Sequence, residues 1–294
     1  MKAISILIPT YNYVCTELVA ALEQQARQLG IGYEIIVADD GSTQTETIQA
    51  NRAINEYTNC RYIERPENAG RAAIRNYLAR QATMPWVLFM DSDMVVRRPD
   101  FLRRYAETPD EQAAWMGGIT VGGNNRSLRH NLRYRYEKAN EHAHTAERRQ
   151  QAPYQDFHTA NFLAPRQLLA VCPFDERFRH YGYEDVLFGK QLEKRHIPVI
   201  HLDNPLSFEI FEDNDTFLRK TEEGLRTLYT FRQELKDCSR LLHRARQLSW
   251  LMPLLSRWHQ ATKKLEQRIL LRYPSLLLFS LYRLGYFATL ESGT

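Results

Sequence analysis

Ile4-Ser5-Ile6-Leu7-Ile8-Pro9-Thr10-Tyr11-Asn12 sets the pattern of the whole chain. A short β-branched apolar run stops at a proline, and polar residues follow at once. A run this short and this apolar reads as a strand buried on both faces. Leu18, Leu22, Ala26 and Leu29 then fall on one helical face, with Thr16 as the expected N-cap. The same grammar recurs downstream. Glu34 to Ala38 is a second strand, ending at Asp39-Asp40-Gly41-Ser42, and a polar helix follows. A third strand is expected near Cys60 to Ile63, a helix from about Gly70, and a fourth strand over Trp86 to Met90. Strand and helix alternating in this way specify right-handed βαβ units, hence an α/β fold on a mostly parallel sheet.

In such sheets chemistry gathers at the carboxyl ends of the strands. Three polar clusters are expected there: Thr10-Tyr11-Asn12, Asp39-Asp40 and Asp91-Ser92-Asp93. Two carboxylates one residue apart, leaving a buried strand, suit a hard divalent cation that also binds diphosphate oxygens. The same Asp-x-Asp also occurs in plain surface turns. Asp39-Asp40-Gly41-Ser42 reads either as a turn with Ser42 capping the next helix, or as carboxylates that bind a base or ribose. Farther along, Tyr181-Gly182-Tyr183-Glu184-Asp185 leads into a helix, whose positive end keeps carboxylates ionised, as a general base near neutral pH requires. No Gly-x-Gly-x-x-Gly and no Walker-type Gly-Lys-Ser/Thr run occurs, which removes the main support for hydride-transfer and P-loop chemistry.

Composition bounds the answer. The chain has 294 residues, 44% of them hydrophobic and 11% aromatic, so a large core is available and disorder is excluded for most of its length. No apolar run approaches the ~20 residues of a membrane span. The N-terminal run reads as a strand rather than a signal peptide. Cys15, Cys60, Cys172 and Cys238 are widely separated, which suggests neither a disulfide framework nor a zinc site. The net charge of +4 is unevenly placed. Residues 239–294 carry nine basic and two acidic groups, net +7, whereas the first 238 carry 30 basic and 33 acidic groups, net −3. The basic, aromatic segment Asn124 to Gln151 reads as a solvated surface helix, with a ligand-binding lid as the alternative.

Ser5-Ile6-Leu7-Ile8-Pro9-Thr10-Tyr11-Asn12, Ala38-Asp39-Asp40-Gly41-Ser42, Asn68-Ala69-Gly70-Arg71 with Arg75-Asn76, Phe89-Met90-Asp91-Ser92-Asp93 and Gly182-Tyr183-Glu184-Asp185 together resemble the family 2 glycosyltransferases, in the order seen there. The resemblance covers roughly Met1 to Phe217. It implies a GT-A fold, a Rossmann-like and mostly parallel central sheet flanked by helices. It also implies inverting transfer of a sugar from a nucleoside diphosphate donor, most often a uridine one, to a hydroxyl acceptor. By the resemblance, Tyr11 and Asp40 would contact the nucleobase, Pro9 and Thr10 would form the pocket wall, and Asp39 would support them. Arg71 and Arg75 would lie near the uracil or diphosphate, with a structural salt bridge as the alternative for each. Asp91 would face the ribose or donor sugar, and Asp93 would bind Mn²⁺ or Mg²⁺. Asp185 would act as general base, and Glu184 would orient the acceptor. Relatives often carry a histidine that completes the metal shell. His201 stands in the matching region, where a hydrogen-bonded strand-end histidine is the equal alternative.

The expected domains are residues 1–217, the transferase, and residues 218–294, a helical extension both basic and amphipathic. In that extension Leu248, Trp250, Leu251, Met252, Leu254, Leu255 and Trp258 mix with arginines and lysines, a pattern suited to a helix lying on an anionic membrane surface. Packing on the catalytic domain and a homodimer contact are the alternatives. The expected partners are a nucleotide-sugar donor and a glycan or lipid-linked acceptor, with no nucleic acid, in envelope or surface polysaccharide synthesis. The expected location is cytoplasmic, at the inner face of the membrane where the tail binds it. A non-catalytic sugar-nucleotide or glycan-binding protein on the same fold is the competing reading. A nucleotidyltransferase is disfavoured by the missing Gly-rich N-terminal loop.

Overall fold

A computed structural model describes residues 2–109, 112–124, 126–155 and 157–292. Met1 and the last two residues of the expected tail, Gly293 and Thr294, lie outside them, as does Asn125 of the expected surface segment. The strands are β1 (Ile4–Thr10), β2 (Tyr33–Asp39), β3 (Cys60–Glu64), β4 (Trp86–Met90), β5 (Met94–Val95), β6 (Ala114–Met116), β7 (Ile119–Val121), β8 (Asn161–Pro165), β9 (Val199–His201) and β10 (Leu206–Phe208). The chain divides into two compact units: Met1–Gly122 with Ala143–Arg179 and Glu184–Glu209, and Gly123–His142 with His180–Tyr183 and Ile210–Thr294.

Among the described residues the first unit holds a seven-stranded sheet of order β3-β2-β1-β4-β8-β6-β9. β1, β2, β3 and β4 run parallel, the expected βαβ half; β1, β2 and β4 are buried on both faces and largely apolar, whereas β3 at the sheet edge exposes Arg61 and Glu64. β8 then pairs antiparallel with both β4 and β6. A three-stranded sheet, β5-β10-β7, lies in the same unit. Aromatic rings close its core: Phe174 stacks on Phe188 at 4.3 Å between centroids, and Phe89 stacks on Phe162 at 5.1 Å. The four cysteines are unbridged, and burial pushes the Cys15 and Cys60 thiols up to about 12.

Two capping expectations are corrected. Thr16 is the first residue of the Thr16–Leu29 helix, and Cys15 occupies the cap position without a side-chain bond. Ser42 does not cap the next helix, which starts three residues later at Thr45. That helix has no side-chain cap; Asn12, just past β1, instead holds the turn before it, its Oδ1 accepting from the Thr43 and Gln44 amides at 2.8 and 3.0 Å. Asn12 itself sits at φ 50°, a left-handed conformation that its short polar side chain tolerates.

The boundary of the second unit also falls elsewhere than expected. Leu132, Phe217, Leu218, Leu270, Phe279 and Tyr282 form one buried cluster, so residues 123–142 and 210–217 fold with the tail. The Leu132–Asn140 helix therefore has a buried side, and the segment is more than a solvated surface helix. Asp213 caps the Asn214–Thr230 helix by accepting from the Thr216 amide, and Leu235 falls beyond that helix's end. No described helix is long and apolar enough to cross a membrane.

Candidate active site

β1 and β2 end in register, Thr10 opposite Asp39, and the Asp40 amide donates to the Thr10 carbonyl at 2.9 Å. Both aspartates are buried and already engaged. Asp39 accepts from the Ser42 amide at 2.6 Å and from the Tyr62 hydroxyl. Asp40 accepts from Arg65 at 2.6 Å and from the Ala69 and Gly70 amides at 3.1 and 3.0 Å. Burial pushes the Asp40 carboxyl up, against the pull of those amides and of Arg65. Asp40 thus ties the β2 turn to the loop that starts the Arg71–Gln81 helix. Two glycines make that approach possible. Gly41 has φ 74°, and a Cβ there would meet the Asn68 amide nitrogen at 2.6 Å. At Gly70, φ 89°, a Cβ would meet the Arg179 carbonyl oxygen at 2.7 Å. Thr10 is buried in this corner, Pro9 is half-buried, and Tyr11 is exposed beside them.

Arg71 and Arg75, one turn apart on the same helix, join two carboxylates. Asp91 Oδ1 accepts from Arg75 Nη2 at 2.6 Å, and Oδ2 accepts from Arg71 Nη2 at 3.2 Å. Glu184 Oε1 lies 2.9 Å from Arg71 Nε and 3.4 Å from Arg75 Nη1. Arg75 and Glu184 are almost wholly buried, and the two positive and two negative charges balance. Such a network withstands desolvation because every ion is paired. It fastens the end of β4 to the start of the Glu184–Lys194 helix. Burial pushes the Glu184 carboxyl up, opposed by both arginines. The salt-bridge alternative for Arg71 and Arg75 is therefore present in the structure.

Asp185 is next in the chain, and its side chain is 24% exposed, so a substrate can reach it. Burial pushes its carboxyl up, but the His158 imidazole, the Val186 amide and Arg71 outweigh that and hold it below its ordinary value. His158 Nδ1 lies 3.9 Å from Asp185 Oδ2, and the His158 ring meets that of His144 edge to face, 6.0 Å between centroids. No spacing in the sequence marks His158, because it precedes β8, far from the Glu-Asp pair. Its partnership with Asp185 exists only in three dimensions. The backbone enters the Asp185 helix through two left-handed residues, Gly182 at φ 94° and Tyr183 at φ 71°.

Asp93 stands half-buried in the turn between β4 and β5, where its charge, second to burial, raises the Tyr13 hydroxyl. His201 is not brought into a metal shell with it. Its Nδ1 accepts from Arg149 Nε at 3.0 Å, so Nε2 carries the proton and donates to the Pro153 carbonyl at 3.0 Å. With both ring nitrogens so used, His201 fits the hydrogen-bonded strand-end reading. Among the described residues no three of His, Cys, Asp and Glu gather around a metal-sized space. The donor set that remains, a carboxylate in a strand-end turn, is what Mg²⁺-type ions use when substrate phosphates and water supply the other ligands.

Together these features define an α/β protein whose carboxylates gather at its strand ends, the edge where folds of this class bind their ligands. The family model described as Glycosyl transferase family 2 matches residues 5–170, more than half of the chain. The chain belongs to that family. It is 31% identical over 112 residues to a teichoic acid poly(glycerol phosphate) polymerase of Staphylococcus epidermidis, covering 37% of this chain and 14% of that one. It is 34% identical over 128 residues to a poly(ribitol-phosphate) beta-glucosyltransferase of Bacillus spizizenii, covering 42% of this chain and 20% of that one. The chain thus spans at most a fifth of those relatives' own length. Its fold is that of the mannosyltransferase PcManGT of Pyrobaculum calidifontis, solved with GDP-Man and Mn²⁺, at a TM-score of 0.53 and 13% identity, covering 99% of this chain and 86% of that one. It is likewise that of S. aureus TarS 1-349 solved with UDP, at 0.51 and 18%, covering 99% and 92%. The expected GT-A architecture is the one found.

Proposed function

We propose that the protein transfers a sugar from a nucleoside diphosphate donor, a UDP-sugar first, to a hydroxyl of an envelope acceptor, with inversion. The observation that carries this reading is Asp185: reachable, held ionised by His158, and placed at a helix start that Arg71 and Arg75 fasten to the end of β4. An ionised carboxylate there can take the acceptor's proton as its oxygen attacks the anomeric carbon from the face opposite the diphosphate. Positioned base help of this kind is worth about 10²–10⁴-fold. Glu184 is buried in the arginine network, so its part is to set the helix start rather than to touch the acceptor. Thr10, Tyr11 and Pro9 would wall the base pocket, with Asp39 and Asp40 shaping it from behind and Asp91 fixing the arginines at its edge. Asp93 would hold Mn²⁺ or Mg²⁺ together with donor diphosphate oxygens, and that ion would neutralise charge on the leaving nucleotide.

We propose as acceptor a phosphate-bearing polyol or glycan, free or lipid-linked, a reading supported by the names of two relatives, a poly(glycerol phosphate) polymerase and a poly(ribitol-phosphate) beta-glucosyltransferase. We further propose a peripheral membrane contact through the outward face of the Met252–Arg272 helix, at the cytoplasmic side. The deciding experiment measures UDP release from a panel of UDP-sugars with Mn²⁺ and then with EDTA. Turnover lost in EDTA supports the reading. Tight UDP binding with no turnover from any donor would instead favour a sugar-nucleotide-binding protein.

A further inference from the structure

The second unit contains a groove of about 850 Å³ between the Leu132–Asn140 helix and the turn Tyr273-Pro274-Ser275-Leu276. Its charged lining is entirely basic, Arg129, Arg135 and Lys138, with the neutral His130 beside them and no carboxylate. Arg135 and Lys138 lie three residues apart, on one helical face. Lys138 is paired to Glu141 at 2.6 Å, and Arg129 donates to His130 at 3.0 Å. Among the described residues, neither Arg129 nor Arg135 has a carboxylate within ion-pair distance. Other arginines of this unit, such as Arg133 with Glu212 and Arg219 with Asp215, are matched to a carboxylate; what sets Arg129 and Arg135 apart from the unmatched arginines of the Met252–Arg272 helix is that they line one concavity. Like charges facing a shared concavity repel one another, so an anion bound among them is favoured. Tyr273, 71% exposed, presents an open ring at the same place.

We infer that this groove is a phosphate-binding subsite for the acceptor, taking a phosphodiester or phosphomonoester of a polyol or sugar chain. The planar, forked guanidinium matches phosphate oxygens two at a time, and the arginines here are free to turn toward them. The ring of Tyr273 offers an apolar face to the carbon skeleton between phosphates, the usual division of labour in a binding site. A nucleic-acid strand is the less suited polyanion, since it asks for successive aromatic stacking platforms and Tyr273 is the one exposed tyrosine of the lining, with only the His130 imidazole beside it. The inference rests on the transferase reading for its word acceptor; the anion site itself does not.

The test uses the full chain and a labelled oligomer of glycerol phosphate, with an uncharged glycan oligomer and a short RNA as controls. The Arg129→Ala/Arg135→Ala variant changes two exposed side chains, and circular dichroism confirms its fold. We expect the oligomer to bind the native chain with strong salt dependence, and the variant to bind at least tenfold more weakly with a flatter salt response. Vesicles carrying a phosphate-headed polyprenol form a second arm: loss of binding there, or with the soluble oligomer, shows which source supplies the phosphate. Undiminished binding by the variant in both arms overturns the site. RNA bound more tightly than the oligomer, and lost in the same variant, overturns its assignment to polyol phosphates. Mn²⁺-dependent UDP release, measured on both proteins without acceptor, reports separately on the proposed function. Its failure beside arginine-dependent oligomer binding would remove the transferase and leave the subsite standing.

Discussion

At the scale of the residue, the proposed chemistry turns on Asp185 and its neighbour His158. Asp185→Asn keeps the shape and removes the base, so transfer should fall by about 10²–10⁴-fold while UDP affinity stays within a factor of about two. Titration calorimetry with UDP beside a transfer assay separates the two effects, and an equal loss in both would make Asp185 structural. His158→Gln probes the electrostatics. With the imidazole present, the carboxyl lies below its ordinary value, so activity persists as pH falls and is lost only when the carboxyl protonates at that lowered value. Without it only the Val186 amide and Arg71 oppose burial, so the carboxyl rises from its lowered value and the acid limb of kcat/KM should move to higher pH. An unmoved limb would count against the partnership. The Glu184-Asp185 pair was legible because helix starts favour acids and the motif is local in sequence. His158 was illegible because its partner is 27 residues away, and His201 stayed open between two readings because a strand-end histidine looks the same before its hydrogen bonds are known.

At the scale of the element, the crevice is held by contacts between strand ends rather than within them. Gly41 is the sharpest instance, with a left-handed backbone and no room beside the Glu67-Asn68 backbone. Gly41→Ala is expected to cost about 1–3 kcal/mol and to lower nucleotide affinity, read by urea denaturation and UDP titration. A variant with unchanged stability and binding would show that the two loops part easily. Arg75→Met leaves Asp91 and Glu184 with Arg71 alone, and an uncompensated buried carboxylate is expensive. A loss of about 3 kcal/mol is expected in the same denaturation experiment, and a loss below about 1 kcal/mol would contradict the network's role. The parallel strands were readable in advance, since double-sided burial writes unbroken apolar runs such as Trp86–Met90. β8, β6 and the small sheet were not. Their strands have two to five residues, too few for a periodicity, and their pairings, antiparallel for β8 with β4 and β6 and for β5 with β10 but parallel for β7 with β10, depend on partners distant in sequence.

At the scale of the whole molecule, the charge asymmetry acquires a location. The Met252–Arg272 helix has Glu266 as its one carboxylate, buried and paired with His259 at 3.1 Å. Its outward face carries Leu254, Trp258, Leu265 and Ile269, with Trp250 just before it; Trp250 is 77% and Leu254 62% exposed. Arg257, Lys264, Arg268 and Arg272 flank that stripe, and among the described residues none of them has a carboxylate partner. Exposed tryptophan beside unmatched base is the composition of a helix lying in an anionic lipid interface. Near such a surface each basic residue adds roughly 1 kcal/mol, falling as salt screens it. Removing the tail would be a poor test, because Leu270, Phe279 and Tyr282 belong to the core of their unit. Replacing Trp250, Leu254 and Leu265 together by serine changes side chains that are mostly exposed. The native chain should float with phosphatidylglycerol-rich vesicles, less with neutral ones and less again at raised salt, while the triple variant should stay in the soluble fraction with its UDP binding intact. Equal flotation of both proteins would exclude this face as the contact. A native chain that stays soluble but sediments as a dimer, and a variant that sediments as a monomer, would assign the same stripe to a second copy of the chain.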